Sequence, residues 1–409
     1  MIGIEDEDEN DQDEEMPDKA TPGKRTIGWM GLHRGHRARP LEWLAEKIIF
    51  LVSLSAIVMV FLIFLFVGRE ALPVVLGQTN SAAAFEVIPP DQMDKLTPEQ
   101  LRAYLGLSRG DFEGMDRETL KLLMEVKVEA AKEAPDTPDA KINSTEWRYL
   151  LGPHQWADSQ PEDRYVWQPV GRIHKYNLIP LFIGSLKTTL VALLFSVPFA
   201  LAAAIYVSQL APPRLKEWLK PAIELLAGVP SVVLGFFGLI VMASVLQSVF
   251  GYESRLNAFV AGIALGFAVI PVVFSIAEDA LTSVPRSYTQ ASLALGASRW
   301  RTAWQIVLPA AAPGVFAAVV LGFGRAIGET MVVLMCSGNA SIVSWSLFDS
   351  TRSITATIAA ELAETVFGGH HYRILFLIGA MLFIVTFVTN LAGDVIMHRL
   401  KGRLEGRAA

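Results

Sequence analysis

One cysteine in 409 residues, Cys336, leaves no partner for an intrachain disulfide, and its apolar neighbours predict a buried thiol with no redox task. A nucleotide-binding loop is missing as well. The nearest approach, GSLKT from Gly184 to Thr188, separates its glycine from the lysine that must adjoin it and lacks the upstream glycine. Gly322, Gly324 and Gly328 miss a dinucleotide fingerprint by one position, with no strand before them. His370 and His371 are neighbours without other ligands nearby in sequence, so they read as exposed polar residues and not as a metal site. These gaps exclude a self-powered ATPase and predict a chain with no enzyme activity, no cofactor, no metal and no nucleic-acid partner.

The scarcest feature is charge inside long apolar runs. Ile48 to Gly68, Thr188 to Pro213, Leu225 to Tyr252, Leu256 to Ala277 and Ile374 to Gly393 contain no charged residue at all. Ala303 to Val333 is interrupted only by Arg325 and Glu329. An α-helix crosses a bilayer core of ~30 Å with about 20 apolar residues, whereas helices of soluble proteins carry charge on their wet face. The fold class expected is therefore an all-α integral membrane protein with six transmembrane helices. Its first apolar run lies beyond residue 47 and is too long for a signal-peptide core, which makes it a retained anchor.

Lysine and arginine set the orientation. Lys24, Arg25, Arg34, Arg37, Arg39 and Lys47 precede the first span, Arg214, Lys216 and Lys220 follow the second, Arg286, Arg299 and Arg301 follow the fourth, and Arg399, Lys401, Arg403 and Arg407 follow the last. The opposite short loops hold little beyond Arg255, Arg352 and Arg373. Both termini are expected in the cytoplasm. The resulting division is a cytoplasmic tail over 1–40, with an acidic cluster from Glu5 to Glu15 that should be solvated; a first helix over 41–69; an external insert over 70–176; a core of five helices over 177–399; and a tail over 400–409.

Within the insert, Thr97, Pro98 and Gln100 form a capping-box helix start, and Asp116 precedes helically spaced apolar residues from Leu120 to Ala134. Two short helices follow from this. Beyond them Pro135, Pro138, Pro153, Pro161 and Pro169 predict irregular chain, with Trp147, Trp156 and Trp167 as interfacial anchors. Asn143, Ser144 and Thr145 match a glycosylation acceptor, a pattern common by chance.

The most informative stretch is YTQASLALGASRWRTAWQIVLPAAAPG, residues 288–314, which reads as helix, turn at Gly296, and a second helix stopped by Pro309 and Pro313. It resembles the EAA loop of ABC-importer permeases: Gln290, Ala291 and Ser292, then Gly296, then Ile306, Leu308 and Pro309 fall at that family's spacing, with departures at the first and third positions. The resemblance implies the MetI-like permease fold and a loop that seats in an ATPase subunit and carries its motion to the spans.

Ile223 to Leu239 and Gly324 to Asn339 are similar to the third and fifth spans of phosphate-specific permeases, and the RAIGETM run followed by a Gly-Asn pair is nearer the PstC-type subunit than its PstA-type partner. The likeness extends from Val166 to about Arg399. It implies the bacterial inner membrane, inorganic phosphate as cargo, a PstA-type second permease subunit, two ATPase subunits and a periplasmic phosphate-binding protein. Molybdate, sulfate or amino-acid transport, and a non-transporting scaffold or sensor using the insert, stay open.

Arg325 and Glu329 form the candidate substrate path. On a continuous helix from about Pro313 to Gly338 the arginine would sit near the membrane midplane, with Glu329 one turn on, close enough to neutralise it. Such a pair reads either as a structural ion pair or as an anion site, since a guanidinium donates two parallel hydrogen bonds to phosphate oxygens. Gly324 and Gly328 form a small-residue repeat expected to bring helices together. Pro198, Pro230 and Pro271 are expected inside spans two, three and four, Glu224, Glu278 and Asp279 at the water interface, and Lys187 snorkelling to headgroups.

Overall fold

A computed structural model describes residues 40–405 except 80, 82–95, 106–111, 113, 133–138, 140, 141, 158, 161, 162 and 172. The acidic cluster, most of the 1–40 tail, Pro135, Pro138, Pro161 and the end of the last tail lie outside the described residues. The chain divides into two compact units at Phe61. As far as it is described, the first is the leading part of helix α1, which covers Pro40–Val75 and so runs beyond the expected end at residue 69.

In the second unit, the insert begins with the two expected helices, α2 (Pro98–Leu105) and α3 (Arg117–Lys132). The capping box closes in both directions: Thr97 N–H donates to Gln100 Oε1 at 3.0 Å and Gln100 N–H to Thr97 Oγ1 at 3.3 Å. Asp116 accepts the Thr119 N–H at 3.0 Å, and Leu101, Leu120 and Met124 bury the face the two helices share. The remainder holds a short helix α4 (Trp147–Leu151) and a two-residue antiparallel ladder of β1 (Trp167–Gln168) and β2 (Lys175–Tyr176). Trp156 and Trp167 are each only 3% exposed, so these tryptophans are core residues and not interfacial anchors. Asn143 is likewise committed: its Oδ1 accepts from Ser81 N–H and its amide donates to the Thr79 carbonyl, both at 3.0 Å, which occupies the acceptor motif within the fold.

The core comprises α5 (Ile179–Leu210), α6 (Pro213–Leu225), α7 (Ser231–Phe250), α8 (Ala258–Thr282), α9 (Arg286–Ala294), α10 (Arg299–Ala310), α11 (Ala312–Gly328), α12 (Met331–Cys336), α13 (Ile354–Glu361) and α14 (His370–Glu405). Among the described residues, α1, α5, α7, α8 and α14 are long and apolar enough to cross a membrane, and α10 with α11 passes as one span bent by 74°. That makes six spans. Pro198 and Pro271 lie inside α5 and α8, but Pro230 does not interrupt its span: it caps the start of α7, where its fixed φ suits a helix entry.

Helices α5 and α8 run parallel and close together. A Cβ on Gly262 would come within 2.5 Å of the Val191 side chain, and Gly266 meets Phe195 one turn further on. Backbones this near gain dispersion contacts that lipid would not replace. Helix α11 crosses α8 antiparallel, with Gly322 against Val273 and Gly314 against Ala280, while α14 returns along α11 with Gly393 against Val320. Alternating directions follow directly from this.

Candidate translocation and coupling site

The fifth span departs most from expectation. Apolar averaging predicted one helix to Gly338; instead α11 ends at Gly328, Glu329 is extended at φ −72° and ψ 133°, and a short α12 follows. Arg325 thus lies about 20 Å from the start of α11 and only about 5 Å from its end. The break also removes the one-turn relation to Glu329. No ion pair within 4.0 Å joins the two among the described residues; Glu329 Oε1 accepts from Thr330 N–H at 3.2 Å, and its carbonyl accepts from Thr355 Oγ1 at 2.9 Å.

Arg325 is exposed. It lines a groove of about 480 Å³ between α11 and α14, together with Gly324, Gly328, Phe383, Thr386 and Asn390. A Cβ at Gly324 would stand 3.3 Å from Asn390 Oδ1, whereas one at Gly328 would meet nothing within 4 Å. Gly324 thus admits α14 closely, as Gly322 admits α8 on another face, and Gly328 leaves room beside the arginine. Chemically, the groove offers a planar cation, a carboxamide and a hydroxyl in apolar walls, a set suited to a small oxyanion.

The candidate coupling segment, 288–314, forms the expected helix, turn and helix, although the second helix passes through Pro309 to Ala310. Gly296 is left-handed at φ +85°, and Ala297 N–H reaches back to the Ser292 carbonyl at 3.2 Å, which ends α9 in the Schellman pattern. Ser298 then caps α10 through Arg301 N–H at 3.3 Å, and the hydroxyls of Ser292 and Thr302 meet at 2.9 Å to fasten the two helices. Gln290, Ala291, Gly296, Ile306 and Pro309 are exposed, Ser292 and Leu308 half-buried. Leu295, beside the turn, is 89% exposed.

Residues 196–406 match the family described as binding-protein-dependent transport system inner membrane component. The chain belongs to this family. It is 36% identical over 236 residues to the Probable ABC transporter permease protein YqgH of Bacillus subtilis, covering 58% of this chain and 76% of that one. It is 32% identical over 260 residues to the phosphate transport system permease protein PstC of Pasteurella multocida, covering 59% and 80%. A solved inward-facing MetNI methionine ABC transporter matches 55% of this chain and 97% of its own at 18% identity, with a TM-score of 0.43. The protein is thus a multi-pass inner-membrane permease subunit of an ABC importer, a transport component and not an enzyme.

Several charged residues of the permease sit where sequence reasoning did not put them. Lys187 does not snorkel: it is 5% exposed and donates to the Ser346 carbonyl at 2.9 Å. Glu278 does not reach water: it is 1% exposed and accepts from Lys216 and Lys220. His371 is not an exposed polar residue, since its Nε2 lies 3.3 Å from Glu361 Oε2, and Glu361 also takes Arg352 Nη1 at 2.8 Å and Trp167 Nε1 at 3.2 Å. Partners 58 to 159 residues away placed Lys187 and Glu278, a signal that no window of local sequence carries, whereas the partner of His371 lies on the preceding helix.

Proposed function

We propose that this permease subunit conducts inorganic phosphate, with the groove at Arg325 as the anion path and residues 288–314 as the seat of an ATPase subunit. The observation that carries the reading is the exposed guanidinium on a membrane-spanning helix. Against lipid an arginine there costs at least ~2.5–3.5 kcal/mol, so its open side belongs against a second, PstA-type permease subunit and a water-filled passage. Phosphate transport permeases among the relatives point to the same cargo. Two ATPase subunits would close on ATP and push Gln290, Ala291, Ser292 and the exposed turn at Gly296; a periplasmic binding protein would deliver phosphate on the side of the insert. Both termini then lie in the cytoplasm.

Arg325 would take the anion through paired N–H donors, with Asn390 and Thr386 supplying weaker contacts. Glu329, with one carboxylate oxygen engaged by the adjacent backbone, keeps negative charge near the path and so prevents the anion from binding too tightly to leave. Arg325→Gln in the reconstituted transporter is expected to assemble normally and to abolish uptake of labelled phosphate. Uptake at the unmodified rate would overturn the anion path. Competition by molybdate or sulfate at equal concentration would instead move the cargo and leave the permease assignment standing.

A further inference from the structure

Glu278 lies one turn before the end of α8, with its side chain 1% exposed. Both carboxylate oxygens are taken: Oε1 accepts from Lys216 Nζ at 2.9 Å and from Thr282 Oγ1 at 2.9 Å, and Oε2 from Lys220 Nζ at 2.6 Å. The two lysines are one turn apart on α6, so they straddle the carboxylate like a clamp. Lys220 also touches the exposed Asp279 at 3.4 Å, and its bond to Glu278 holds its pKa above the ordinary lysine range.

What the clamp joins gives it a use. Helix α6 has no fully buried residue; only Leu219 and Ile223 lean on the core. Its firmest attachment is therefore Glu278. Through its ends α6 continues into α5 on one side and, after Gly228, into α7 on the other. On the α8 side, the chain leaves Thr282 and turns at Pro285 into the exposed α9. A buried carboxylate is stable only while paired, and water cannot replace the lysines inside the fold. The root of the coupling segment is thus tied by charge to the helix that links two other spans.

We infer that Glu278 is a positioning residue that makes α6 follow the root of α9, so that a push on α9 displaces α5, α7 and α8 together. This rests on the proposed coupling role of residues 288–314. Without the clamp the push would bend α9 at Pro285 and be lost before it reached the spans.

The test uses the complete reconstituted transporter and two readouts, the rate of ATP hydrolysis and the phosphate taken up per ATP. Glu278→Gln keeps the shape of the side chain and removes its charge; Lys216→Met with Lys220→Met removes the other half and leaves α8 untouched. Both are expected to assemble and hydrolyse ATP, and to lower uptake per ATP about tenfold, a typical coupling strength. Lys216→Arg with Lys220→Arg should restore it, which a purely structural loss of packing would not. Unchanged uptake per ATP in the Gln variant, or in the double Met variant should the Gln variant fail to assemble, overturns the clamp. Gly296→Val is the separate control: if it too leaves uptake per ATP unchanged, the coupling reading itself falls, and if it lowers it while the clamp variants do not, only the clamp is wrong.

Discussion

Glu278 and Glu361 sit at opposite ends of the helical core and solve the same problem differently. The parallel run of α5 and α8 puts Glu278 at their C-terminal ends, while Arg352, whose carbonyl lies beside Gly184 at the start of α5, holds Glu361 at the other. Glu278 is gripped by two lysines whose side chains remain 35% and 32% exposed. Glu361 is gripped by Arg352, His371 and Trp167, with Arg352 and His371 15% and 18% exposed. Lysines that already touch water can swing back into it when their partner is lost. The Arg352 guanidinium, more deeply set, has less room to do so. One end of the permease is a breakable tie; the other is a knot that fixes the β-hairpin and the 337–353 loop to α14.

The comparison breaks most directly at the knot. Glu361→Ala should destabilise the purified protein by about 3 kcal/mol, because it leaves the largely enclosed Arg352 guanidinium unpaired. Thermal unfolding in detergent would show it, and limited proteolysis should open the 150–176 region first; a melting curve like that of the parent would mean the knot is not structural. Gly184→Ala attacks the same end from below, since a Cβ there would stand 2.1 Å from the Arg352 carbonyl. Overpacking against backbone should cost roughly 2 kcal/mol, read in the same melts. At the tie, Glu278→Gln should cost only about 1 kcal/mol or less, because the released lysines return to water. If its melt falls as far as that of Glu361→Ala, the two ends are alike after all.

Smaller effects sharpen the contrast through pH. Lys220 has a raised pKa, so its contribution is complete below the ordinary lysine value and fades as pH rises through the folded value. Protection of the α6 amides, relative to their intrinsic base-catalysed exchange rate, should therefore fall under strongly alkaline conditions in the parent and not in the double Met variant. Asp116 shifts the other way, lowered chiefly by its side-chain bond to Thr119. Its capping of α3 is present above the ordinary carboxylate range and is lost as pH falls through the folded value. Asp116→Ala should speed exchange only over the first turn of α3, the smallest change of the set.

Sequence carried the periodic and the local. Six apolar runs, the Thr97 to Gln100 capping box, the Asp116 cap and the turn at Gly296 all depend on neighbours within a few residues, and all are present. Hydropathy misled at Glu329, because an average over Ala303 to Val333 weighs a Gly-Glu-Thr break like any other polar interruption of a long helix. It misled again at Pro230, where a proline that opens a helix looks the same as one that kinks it. Candidate site residues were legible as types, Arg325 above all, but not as arrangements. Asn390 and Thr386 join Arg325 only because α14 packs back along α11, and the pairing of Lys216 and Lys220 with Glu278 required α6 to fold onto α8.

Chain order gives the Glu278 clamp a consequence for biogenesis. Ribosomes release α6 before α8, so Lys216 and Lys220 are already waiting at the membrane surface when the segment bearing Glu278 enters the bilayer. An acidic residue that would hinder the insertion of an isolated helix meets its counter-ions on arrival, and α8 can then be drawn to its final depth by them. Moving the lysines behind α8 in the chain would leave the same finished contacts and remove that help.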